Sequence, residues 1–207
     1  MHRVRPSRAS APAPRLGPAF FAQSGLALAR ALPGVILVRR VGGVRRRARI
    51  MEVEAYLGPT DLASHSSRGR TARTEVMFGP PGRAYVYFVY GLHWMFNVVA
   101  GAPGRAHAVL LRGAQPLDGW DADLAGPARL ARGFGITGAD NGRAVTGTDI
   151  WFTADPAYRP RIVRTKRIGV DYAKEWADEP LRFVDVRNPA AARLRGIAPP
   201  RRPGGGA

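Results

Sequence analysis

Glu52 and Glu54 stand two residues apart in "RIMEVEAYL", and Tyr56 follows after one more residue. Side chains alternate between the faces of a strand, so Ile50, Glu52, Glu54 and Tyr56 are expected on one face and Met51, Val53, Ala55 and Leu57 on the other. A carboxylate flanked by Val53 and Ala55 in a basic chain is either paired with an arginine or kept for acid–base work, and Glu52 competes with Glu54 for that role. Arg112 ends the apolar run "AVLLR" and, with its stem buried, needs an anionic partner such as Glu54. The stretch "YVYFVYGLHWMFN" brings Tyr85, Tyr87 and Tyr90 together. Tyr85 and Tyr87 share a strand face, while Tyr90 beside Gly91 marks a hairpin tip. A ring at an exposed tip suits a wedge between stacked bases; packing across the strands is the plain alternative for all three tyrosines. Asn97, inside "MFNVV", must hydrogen-bond within the fold or read a ligand. His65 lies in a loop without a second ligand at metal spacing, and His93 and His107 are scattered, so no metal site is expected.

These residues need elements to hold them. Residues 17–34 read as a buried helix between Pro18 and Pro33-Gly34. "VILVRRV" and "VRRRARIMEVEAYL" read as strands joined at Gly42-Gly43. Residues 58–83 form a long loop carrying His65, Arg68, Arg70 and Arg73, and long loops in compact domains are often functional. "AYVYFV", "HWMFNVVAG" and "HAVLLRGAQPL" read as further strands, the last ending near Arg112. Residues 126–136 read as a helix with Pro127 at its first position. "DIWFTADP" is a short strand, and "RTKRIGVDYAKEWADEPLRFVDV" ends in a turn and a last strand. No repeat is visible. The expected fold is a single α+β domain over residues 16–197: a curved, mostly antiparallel sheet with flanking helices and a protruding hairpin. Residues 1–15 read as a disordered basic arm and 198–207 as a flexible tail.

Composition narrows the partners. The chain has 207 residues, 32 Lys+Arg against 15 Asp+Glu, and a net charge of +17. Such an excess points to a polyanion, either nucleic acid or an anionic membrane surface. Only Lys166 and Lys174 are lysines, a skew that genome composition can explain, although the net charge is not explained that way. Cysteine is absent, which removes disulfides and thiolate metal sites. No apolar run reaches the ~18 residues of a membrane span. The basic N-terminus leads into no apolar segment of a secretory signal. Phosphate-binding, dinucleotide-binding, serine-hydrolase and zinc-protease motifs are missing.

The segment "EVEAYLGPTDLASHSSRGRTARTEVMFGPPGRAYVYFVYGLHWMFNVVAG" resembles the core signature of the 3-methyladenine (alkyladenine) DNA glycosylases. "VLLRGAQPL", "GPARLARGFGI" and "RIGVDYAKEW…PLRF" are similar to later motifs of that family, in the same order. The resemblance covers roughly residues 18–186, with little over 137–165. It implies a monofunctional enzyme of base excision repair that flips alkylated or deaminated purines out of duplex DNA. By resemblance, Glu54 activates the water that hydrolyses the N-glycosidic bond, and Arg112 and the Ile168 backbone carbonyl hold carboxylate and water. Tyr56 and His65 sandwich the flipped base, Tyr87 adds a wall, Asn97 discriminates against guanine and Tyr90 fills the gap in the duplex. The resemblance also implies no cofactor, no strand-cleaving lysine, a monomer, no membrane partner and a cytoplasmic, nucleoid-associated location. "RGAQPL" has Gly113 and Gln115 where relatives often have Ala and Glu, a change expected to loosen local packing. A non-catalytic nucleic-acid binder and a ribosome-associated basic protein are the competing readings.

Overall fold

The computed structural model describes residues 14–194 and 196–197. Among the described residues eight strands form one curled antiparallel sheet: β1 (Ile36–Val41), β2 (Val44–Leu57), β3 (Ala84–Val89), β4 (His93–Ala100), β5 (His107–Pro116), β6 (Ile150–Thr153), β7 (Ile162–Thr165) and β8 (Arg182–Asp185). The order is β3-β4-β5-β2-β1-β6, and β8 joins β2 to β7. β2 is long enough to take two neighbours along one edge: β1 over residues 44–49, then β8 over residues 52–54. β5 occupies its other edge. The α+β class is as expected.

One sheet face holds the main core. Ala48, Ile50, Val53 and Ala55 of β2 join Val109, Leu111 and Ala114 of β5 there, with Leu28, Leu130 and Phe134 from the helices. The strict alternation expected along β2 fails at Met51. Ile50 pairs with Ala114, Glu52 with Gly113 and Val53 with Leu111, so each strand holds one extra residue, Met51 on β2 and Arg112 on β5. These facing bulges rephase the strands. Ile50 therefore lies in the core with Val53 instead of beside Glu52, and Met51 packs in a separate cluster with Val184 and Leu194. Arg112 does not end β5, which runs on to Pro116.

The helix expected over 17–34 is two shorter ones, α1 (Pro18–Phe21) and α2 (Gly25–Ala31). Ser24 interrupts because its side chain caps α2, accepting from the Ala27 amide at 3.3 Å. α3 (Pro127–Phe134) starts on Pro127 as expected. β7 escaped the sequence reading, because its four residues are exposed in the middle and only half-buried at the ends, without an alternating apolar face. The expected N-terminal arm lies mostly outside the described residues, as does the tail 198–207. Its last member, Arg15, pairs instead with Thr153 of β6 and places its guanidinium over Trp151 at 4.3 Å.

Gly113 is tight rather than loose. A Cβ there would lie 3.2 Å from Leu194 and 3.3 Å from Glu52. Gln115 accepts a hydrogen bond from Asn188 at 2.8 Å. Both positions therefore serve the docking of the C-terminal segment.

Candidate active site

The sheet face opposite the main core carries the chemistry. Period-two alternation turns Tyr85 and Tyr87 of β3, Met95 and Asn97 of β4, Ala108, Leu110 and Arg112 of β5, and Tyr56 of β2 to a single cleft of about 280 Å³. Two loops close it. A 3-10 turn, His65–Arg68, brings His65, and the segment after β7 brings Ile168, Val170 and Tyr172.

Glu54 lies one layer behind this lining, with no exposed surface. Its Oε1 accepts the Ile168 amide at 2.8 Å and stands 3.2 Å from Arg112 Nε. Its Oε2 accepts the Tyr56 hydroxyl at 3.0 Å and Arg112 Nη1 at 3.3 Å. All three donors line the cleft. Burial raises the Glu54 pKa, and Arg112 and the Ile168 amide oppose that shift. Glu52 has another situation. Arg112 Nε at 3.0 Å and Arg182 Nε both donate to its Oε1, and it does not line the cleft. Of the two candidate carboxylates, Glu54 alone contacts three cleft-lining groups.

The aromatic walls are interlocked. His65 meets Tyr87 edge-on at 4.5 Å, and its Nδ1 lies 2.9 Å from the Tyr85 hydroxyl. Burial, with the charges of Arg73 and Arg68, lowers the His65 pKa to about 4, so the ring is neutral at pH 7. A neutral imidazole can stack on a cation without repelling it. Burial also pushes the hydroxyls of Tyr56 and Tyr87 up, which keeps them as donors. Asn97 Nδ2 donates to the Tyr85 carbonyl at 3.1 Å, which fixes the amide at the cleft. Ile168 faces Glu54 with its amide, not with the carbonyl that the resemblance singled out.

Tyr90 is 90% exposed at the turn between β3 and β4, where the Leu92 amide bonds the Val89 carbonyl at 3.1 Å. Its φ of 52° is unusual for a bulky residue. The ring and the 67% exposed Tyr172 both line the cleft. Tyr172, Met77 and Val170 were not singled out as site residues. Met77 and Tyr172 lie in short 3-10 turns and Val170 just before the second of them, where no sustained periodicity shows which way a side chain turns. His107 serves the fold, accepting the Gly25 amide at 3.2 Å. Among the described residues no group of three His, Asp or Glu side chains is placed to hold a metal ion. No described helix is long and apolar enough to cross a membrane.

A slot walled by tyrosines and a neutral imidazole, backed by a buried carboxylate, defines a site for a flat ring next to a group suited to hydrolysis. Comparison with known proteins makes the class specific. The family model described as "Methylpurine-DNA glycosylase (MPG)" matches residues 19–189. A protein of Anaeromyxobacter sp. (strain Fw109-5) named "Putative 3-methyladenine DNA glycosylase" is 46% identical over 183 residues, covering 88% of this chain and 94% of its own. Proteins of the same name from Myxococcus xanthus (strain DK1622) and Legionella pneumophila (strain Lens) are 46% and 43% identical, covering 79% and 82% of this chain and 86% and 93% of their own. The chain belongs to the methylpurine-DNA glycosylase family. It is a DNA-repair hydrolase of N-glycosyl bonds, and its substrate is DNA.

Proposed function

We propose that this chain extrudes alkylated or deaminated purines from duplex DNA into the cleft and hydrolyses the glycosidic bond with a water activated by Glu54. The observation that carries this reading is the placement of Glu54: a buried carboxylate whose donors are themselves walls of an aromatic slot. Flipping a base costs a few kcal/mol of stacking, offset in part when Tyr90 enters the gap. Tyr56, His65 and Tyr87 receive the base, and stacking favours cationic alkylated purines. Asn97 discriminates against guanine at its 2-amino group.

In this structure both oxygens of Glu54 face protein donors. Water gains Oε2 when the Tyr56 hydroxyl gives way, one hydrogen bond replacing another. The water oxygen attacks C1′, its proton passes to Glu54, and the glycosidic electron pair leaves with the purine. An alkylated purine is already positive and departs neutral, so a single carboxylate suffices, whereas glycoside hydrolysis usually needs a pair. A neutral purine such as hypoxanthine needs an additional proton. Neither lysine lines the cleft, which supports release of the base without strand cleavage. The net charge of +17 supports a phosphate-rich partner; we further propose that the protein acts as a monomer on the cytoplasmic nucleoid, with no membrane partner and no cofactor.

The test is single-turnover base release from alkylated duplex DNA. Glu54→Gln should lower release about 100-fold or more, within the usual range for a lost acid–base group. Binding to the same duplex should stay equal or tighten, since a negative charge near phosphate has gone. Release by the variant at the wild-type rate would falsify the role of Glu54.

A further inference from the structure

Arg167 has no part in the chemistry above, yet it is buried directly behind it. Its Nη1 donates to Asp61 Oδ2 at 2.6 Å and its Nη2 to Asp61 Oδ1 at 2.9 Å, and neither side chain has exposed surface. Nη1 also reaches the Ala55 carbonyl at 2.9 Å, and Nη2 the Trp176 carbonyl at 3.1 Å. Asp61 in turn accepts the amides of Leu57 and Ala63 at 2.9 and 3.0 Å. This one pair joins the end of β2, the loop that leads to His65 and the segment that carries Ile168.

The guanidinium also lies over the Tyr56 ring, 4.8 Å from its centroid. Tyr56 lines the cleft and Arg167 does not. The charge therefore covers one face of the ring and leaves the other side to the cleft. An aromatic face attracts cations through its quadrupole. A cation fixed behind the ring draws that density back, so a second cation in front is held less strongly, while a neutral ring in front loses little. The Tyr56 hydroxyl registers the same charge: burial and Glu54 push its pKa up, and Arg167 opposes them.

We propose that Arg167 is a positioning and selectivity residue that acts through Tyr56, holding the ring in place and lowering the preference of the cleft for cationic over neutral purine bases. This rests on the glycosylase reading of the cleft. Arg167 is not a catalytic residue in this proposal, because it does not line the cleft.

The measurement is the ratio of single-turnover release rates for 7-methylguanine, a cation, and hypoxanthine, a neutral base, from otherwise identical duplexes. Arg167→Met combined with Asp61→Asn removes both charges without stranding either, and the ratio should rise about two- to fivefold, the range of an exposed to half-buried cation–π contact. Asp61→Asn alone leaves the guanidinium uncompensated, and the ratio should fall. Arg167→Lys keeps the charge and should hold the ratio within about twofold of wild type, although both rates drop as the second arm is lost. Loss of packing alone would lower both rates together in every variant, so opposite shifts in the first two cannot come from destabilisation. An unchanged ratio in whichever of these two variants folds overturns the proposal and leaves the pair a structural tie. A wild type that releases neither base overturns the reading of the cleft itself, a separate result.

Discussion

Glu54 and Tyr56 are coupled by a single hydrogen bond, 3.0 Å from the phenol to Oε2, and that bond has two consequences of opposite sign. It lowers the carboxyl pKa against the larger effect of burial, and it occupies the oxygen that a water must reach. Tyr56→Phe keeps the ring and removes the bond. The carboxyl pKa should then rise further, because a donor to the charged form is lost. In the proposed mechanism Glu54 works as a carboxylate, so activity should disappear as pH falls through its pKa, and the acidic limb of the pH–rate profile should move to higher pH in the variant. On the plateau above that limb, release should stay within about tenfold of wild type, the cost of an ordinary hydrogen bond. A pH–rate profile measured under single turnover checks both statements; an acidic limb shifted downward would show that the phenol does not stabilise the carboxylate.

At the scale of elements, the unit that matters is the pair β3–β4. One of its faces gives Tyr85, Tyr87, Met95 and Asn97 to the cleft, and its turn gives Tyr90. Its other face is anchored where Trp94 packs on Gly138, at a point where a Cβ would come within 2.7 Å of the indole. The outer edge of β3 is covered as well: Asn141 Oδ1 accepts the Val86 amide at 3.0 Å, and the Gly142 amide reaches the Ala84 carbonyl at 2.8 Å. Gly138→Ala must displace either the indole or the 3-10 turn Gly138–Asp140. The expected cost is about 1–3 kcal/mol of stability, typical of overpacking. Thermal melting should show it as a fall of several degrees, with base release reduced in the same variant. Tyr90→Ser should behave in the opposite way. The ring is 90% exposed, so melting should be unchanged, while release from duplex DNA falls about tenfold, the value of one stacking contact. Equal release by Tyr90→Ser and wild type would remove the wedge role.

Over the whole molecule the dominant quantity is charge. With 32 basic residues against 15 acidic ones, binding to undamaged duplex should be driven by release of counterions. Contacts to about six phosphates would cost on the order of a thousandfold in affinity between 50 and 200 mM salt. Affinity for a short undamaged duplex, measured across that range, should fall linearly on a log–log plot. A flat dependence would assign the excess charge to something other than DNA. Many arginines are already engaged within the fold: Arg39 with Asp140, Arg47 with Asp118, Arg49 with Asp155, Arg167 with Asp61. The slope should therefore lie well below what the total charge implies.

The residues at the cleft were largely legible in the chain. That Glu54 shares a face with Tyr56, and Tyr85 with Tyr87, follows from alternation along strands, because side-chain direction in a strand has a period of two and needs only local information; that these faces line one pocket was implied by the family resemblance. Arg112 as a partner for Glu54 follows from the cost of an unpaired buried charge. The family, and with it the DNA substrate, was visible as several motifs in one order. Three things depended on the tertiary structure. The facing bulges at Met51 and Arg112 are a property of two strands read together, and neither strand shows one alone. Spacing leaves Glu52 and Glu54 equal and the resemblance favours Glu54; the different surroundings of the two come from Arg182 and Ile168, over a hundred residues away, which claim one carboxylate each. The charge behind Tyr56 comes from a loop residue 111 positions further on, where no periodicity says what it will touch. Local geometry is written in sequence spacing; contacts between distant segments are settled only when the whole sheet closes, because burying one polar group constrains every partner that must satisfy it.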